Sequence, residues 1–167
     1  MTQQQTPAVA YLEALRERLT ADGCAVTSDT WAGQRVLVGS RADRKARWMG
    51  TKVKLFVYAA AVPALDVPAI GEFSVWAMTR AKADRGGLPG ARNAAMVLAA
   101  LVSENVDPAA AQWAAQDART VDTTVVGRPI TVETGPQSVR TTMYRGRVMW
   151  GGMFTGHVLE KAARYFP

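Results

Sequence analysis

Between Lys52 and Ala60 the side chains alternate with a period of two. A strand read over Trp48 to Ala60 sets Val53, Leu55, Val57 and Ala59 on one side and Lys52, Lys54, Phe56 and Tyr58 on the other. A side that is wholly apolar must face a core, so this run demands a sheet with something packed over it. Two further strands precede it, Ala25 to Thr30 and Arg35 to Ser40. Ala32-Gly33 supplies the first turn and Arg41 to Lys45 the second. The three runs together predict an antiparallel meander.

Helical signals surround the meander. Thr6 before Pro7 is a cap followed by a residue that needs no N–H, and Leu12, Leu15 and Leu19 recur at helical spacing up to a stop at Gly23. Asp66 caps a second helix with Pro68 in its first turn, an apolar stripe of Ile70, Phe73, Trp76 and Ala77, and a stop at Gly86-Gly87. Asp107-Pro108 opens a third helix that runs to about Asp117, anchored by Trp113. Thr155 is expected to cap a last helix carrying Val158, Leu159, Ala162 and Tyr165.

The remaining runs are less distinct. Ala94 to Val102 is apolar and alanine-rich, and its period does not separate a buried strand from a buried helix; strand is preferred. Thr123 to Val126 with Ile130 to Glu133 reads as one strand interrupted at Gly127, and Gly135-Pro136 turns it into Ser138 to Tyr144. The stretch Asp117 to Arg128 is otherwise polar and loop-like. The order predicts an α+β (mixed α/β) class: a single sheet with an N-terminal antiparallel meander, covered by about four helices. Residues 1–5 are expected to be a disordered lead, and 6–167 a single globular domain.

Composition closes several routes. With one cysteine, Cys24, and one histidine, His157, neither an internal disulfide nor a nitrogen and sulfur metal site is expected, and no cofactor is indicated. Asp29, Asp43, Glu72 and Glu133 stand alone in sequence, and no serine sits on a nucleophile elbow. The longest apolar stretch, Leu55 to Leu65, is broken by Pro63 and is shorter than the roughly 20 residues needed to span a bilayer. The polar start, Met1 to Thr6, lacks the look of a signal peptide, so a soluble cytoplasmic protein without membrane contact is expected.

Charge is the feature that points toward function. From Arg35 to Lys54 there are seven basic residues against one acid, Asp43, an excess equal to the +6 of the whole chain. Arg41, Arg44, Lys45, Arg47, Lys52 and Lys54, with Trp48 as an aromatic plate, form the candidate ligand-binding set. Phosphates satisfy such cations, and stacked bases satisfy exposed rings. The plainer alternative puts the lysines at the wet end of a strand while Phe56 and Tyr58 pack under a helix. The leading expectation is a non-catalytic basic module for a phosphate-rich ligand such as nucleic acid.

Two glycine-rich segments offer a different reading. Arg85 and Arg92 flank the loop Gly86-Gly87-Leu88-Pro89-Gly90, whose N–H groups can form an anion nest. Arg145, Arg147, Trp150, Gly151 and Gly152 approach the last helix, where His157 is a candidate acid or base. Together Arg85, Arg92, Arg145, Arg147 and His157 outline an enzyme for a small anionic substrate. A third expectation is an oligomeric adaptor that meets an acidic protein partner, with Trp31, Trp48 and Trp150 half-exposed at the contacts.

Overall fold

The computed structural model describes residues 5–86, 93–121, 124–148 and 152–167. The elements, in chain order, are α1 (Pro7–Ala21), β1 (Ala25–Trp31), β2 (Gln34–Arg44), β3 (Lys52–Ala61), α2 (Val67–Arg85), β4 (Asn93–Ser103), α3 (Pro108–Gln116), β5 (Arg119–Val121), β6 (Val125–Thr134), β7 (Val139–Met143) and α4 (Thr155–Tyr165). Seven strands form one mixed sheet in the order β1-β2-β3-β4-β6-β5, with β7 paired to β6. The meander β1-β2-β3 is antiparallel, as expected, and β3, β4 and β6 run parallel. Most of the pairings in the sheet are antiparallel.

Helices cover both sides of this sheet. Leu15 and Leu19 of α1 and Val158, Ala162 and Tyr165 of α4 pack with Val53, Leu55, Val57 and Ala59. Ile70, Phe73 and Ala77 of α2 and Ala110 of α3 pack with Phe56, Tyr58 and Ala60. The alternation in β3 therefore sorts two cores rather than one core and a wet face. Phe56 and Tyr58 lie under α2, where Tyr58 meets Trp76 edge-on at 5.6 Å.

Ala94 to Val102 is the strand preferred for it. Flanked by parallel neighbours and covered on both sides, β4 has no wet face, so its residues are apolar throughout and show no alternation. The caps at Thr6, Asp66 and Asp107 each accept the expected backbone N–H, from Val9, Ala69 and Ala109.

Four details differ from expectation. First, β2 does not turn at Arg41 but continues to Arg44, because β3 supplies ladder partners as far as the Arg44–Lys52 pair. The reversal falls later, through a 3-10 turn at Ala46–Trp48 and left-handed Met49. Second, β6 runs unbroken through Gly127. A Cβ there would stand 2.5 Å from Met78 Sδ, so the glycine serves close approach of α2 rather than a break in the strand.

Third, the stretch expected as loop between Asp117 and Arg128 contains β5 and the start of β6. Fourth, Thr155 is not the cap of α4. A 3-10 turn, Gly152–Phe154, leads into the helix, Phe154 holds the cap position, and no side chain caps it. Residues 1–4 of the expected lead, and most of the glycine loop from Gly87 to Arg92, lie outside the described residues.

Candidate anion-binding site

The extension of β2 decides where the basic segment goes. Strand alternation sends Arg41 and Asp43 to the side covered by α1 and α4, and Arg44 to the side covered by α2. The six cations do not share one face.

On the α4 side, Arg41 is fully engaged. Its guanidinium grips Asp43 at 2.8 Å through Nε and Asp22 at 2.7 Å, and also donates to the Asp22 carbonyl. Asp22, at the end of α1, further accepts from Lys161 at 2.8 Å, from Arg164 and from the Tyr165 hydroxyl. These donors outweigh the cost of burial and hold the Asp22 carboxyl far below the usual carboxylate range. Cys24 Sγ lies 3.4 Å from the Tyr165 hydroxyl, and burial pushes its thiol up rather than activating it. This node is saturated, with every cation bonded to an acid.

On the α2 side, Lys54 Nζ donates to the Arg85 carbonyl at 2.8 Å. Arg85 is itself buried and bonds Thr124 Oγ1. Arg44 and Lys52 stand directly opposite each other on neighbouring strands, a like-charge pair that is unfavourable until an anion joins it. Arg35 is at the other end of β2, beside Arg16 and Leu12 of α1.

Trp48 is not a surface plate. It is wholly buried, with its ring edge-on to Phe154 at 5.4 Å and to His157 at 5.0 Å, so it anchors the β2–β3 reversal in the core. Lys45 and Arg47 lie over the same ring at 5.3 and 5.9 Å. Trp31 is half-buried against Phe73, and Trp150 lies outside the described residues.

His157 is only 2% exposed. Its Nε2 lies 3.3 Å from Asp43 Oδ2, yet neither ring nitrogen has a well-formed hydrogen bond among the described residues. Burial lowers its pKa, Asp43 opposes that shift, and Lys45 and Lys161 reinforce it. Of the set expected for an anionic substrate, Arg85 is buried on the α2 side and His157 is enclosed, so neither joins Arg145 and Arg147; Arg92 lies outside the described residues.

Arg47, however, borders the same concavity as Arg145 and Arg147. The three line a concavity of about 790 Å³ with Gly152, Met153, Thr155, Gly156 and Leu159 at the start of α4. Among the described residues no acidic one lines it, and none of the three arginines has a carboxylate within ion-pair distance. All three are exposed.

The segment that presents Arg145 and Arg147 has no regular structure, but it is held firmly. Arg128 of β6, 2% exposed, donates to the carbonyls of Tyr144 and Gly146, each at 2.7 Å. Its guanidinium lies 5.4 Å from the Tyr144 ring, and the Tyr144 hydroxyl donates to the Arg147 carbonyl at 3.1 Å. Tyr144 folds back so closely over Gly146 that a Cβ there would collide with its phenol. One buried cation thereby fixes the backbone on both sides of Arg145.

Arg128 and Asp22 escaped the reading of the sequence. Arg128 had a signal: a lone arginine inside Val125-Val126-Gly127-Arg128-Pro129-Ile130 is out of place in an apolar strand unless it is buried and bonded. Among the described residues no group of three or more histidine, cysteine or acidic side chains is placed to hold a metal, and no helix is long and apolar enough to cross a membrane. Comparison with protein-family models, curated proteins and solved structures found no match.

Proposed function

We propose that this protein is a non-catalytic binding module for a phosphate-rich ligand such as nucleic acid, and that the arginine bay at the start of α4 is where the ligand docks. One observation carries the reading: Arg47, Arg145 and Arg147 line one concavity in which, among the described residues, there is no acid. Guanidinium groups bond phosphate through paired N–H donors, and three of them without a carboxylate partner among the described residues create a local positive field. Arg44 and Lys52 nearby add a cross-strand repulsion that a polyanion relieves. The fixed backbone around Gly146 lowers the ordering cost of binding.

Titration with single- and double-stranded oligonucleotides over a range of salt tests this. The logarithm of the binding constant is expected to fall linearly with the logarithm of salt, with a slope of roughly −2 to −3 for about three neutralised phosphates. Arg145→Ala and Arg147→Ala should each reduce that slope by about 1. Absence of any interaction at low salt would overturn the proposal.

A further inference from the structure

We infer that the arginine bay reads nucleic-acid ends: it takes a terminal phosphate monoester in preference to the phosphodiesters along a strand. This rests on the proposed function and names the group that the bay selects.

The bay is bordered by three parts of the chain. Arg47 comes from the β2–β3 reversal, Arg145 and Arg147 from the segment after β7, and Thr155 and Gly156 from the first turn of α4. A phosphodiester brings one charge and two free oxygens to such a site. A terminal monoester brings about −1.5 to −2 charges and three free oxygens, which matches three guanidinium groups better.

The start of α4 adds to this. No side chain caps this eleven-residue helix, so the positive end of its dipole is not offset by a capping oxygen. Gly152 and Gly156 also line the bay, and a Cβ on either would meet no atom within 4 Å. At about 790 Å³ the bay has room for a terminal nucleotide as well as its phosphate.

The test uses one oligonucleotide sequence in three forms, with a 5′-phosphate, with a 3′-phosphate, and with hydroxyls at both ends, titrated by fluorescence anisotropy at one salt concentration. One phosphorylated form is expected to bind about tenfold more tightly than the hydroxyl form, as charge-assisted bonds to a dianion imply. Arg145→Ala and Arg147→Ala should each shrink that ratio, and Arg145→Lys, which keeps the charge without the paired donors, should restore only part of it. Arg44→Ala, outside the bay, should weaken all three forms alike. Equal binding of the three forms overturns this inference and leaves the proposed function standing, whereas no binding of any form overturns both.

Discussion

The two ends of α4 treat positive charge in opposite ways. At its C-terminal end Lys161, Arg164 and the incoming Arg41 surround Asp22, and Arg41 also holds Asp43. At its N-terminal end Arg47, Arg145 and Arg147 gather with no acid among them. Residue type is the same at both ends, and the presence of a carboxylate separates them. Cations closed on acids fasten the helix to α1 and β2, while the cations of the concavity have no carboxylate among the described residues to close on.

The strongest way to break this contrast is to remove the acid from the saturated end. Asp22→Ala strips a buried carboxylate from three cations and should destabilise the protein by about 3–5 kcal/mol, measured by chemical denaturation. Oligonucleotide binding by the fraction still folded should keep its salt dependence. An equal loss of binding slope would mean that the two ends are not independent.

A smaller effect is expected at Arg128, which links the core to the open end. Arg128→Met leaves the Tyr144 and Gly146 carbonyls without their donor, at a cost of about 1–3 kcal/mol in all, because both belong to a half-buried segment that can turn to water. It should also loosen the segment that carries Arg145 and Arg147. Binding should therefore weaken although no ligand contact has been removed, which separates Arg128 from an arginine that touches phosphate.

The smallest effect concerns His157, between the two ends. Its folded pKa lies below the ordinary value because of burial. Below pH about 6.5 the unfolded chain takes up the proton more readily than the folded one, so the stability held at neutral pH declines as pH falls, by no more than about 1.4 kcal/mol per pH unit for one proton. His157→Leu should flatten this part of the stability profile, leaving the acid limb set by Asp22 and Asp43, which lies lower.

The helices were legible because their signals are local. Thr6-Pro7, Asp66 with Pro68 and Asp107-Pro108 each combine a cap with a residue that suits a first turn, whatever surrounds them. The end of β2 was not legible, since nothing in Arg41 to Arg44 reads as strand without the ladder that β3 provides. Trp48 was misplaced for a related reason: flanking charges suggest exposure, yet Phe154 and His157, distant in sequence, enclose it.

The candidate site was half-visible. Arg47 and the pair Arg145 and Arg147 each stood out as basic positions, but no spacing rule joins residues so far apart. Thr155 had the right identity for a helix start, and only the 3-10 turn before it shows that its hydroxyl is not spent on a cap.

The length of β2 has a further consequence. Nine residues separate Arg35 from Arg44, which in a strand amounts to roughly 30 Å, so the charge excess of this segment is stretched across the molecule and only partly cancelled along the way. Arg44, Lys45 and Arg47 stand together at one end, while Arg35 at the other shares its concavity with Glu13. Charge spread so unevenly along one strand gives that strand a direction as well as a sum. Approaching a polyanion, it would be turned to face it before the surfaces meet, and faster encounter at low salt would be the kinetic trace of that torque.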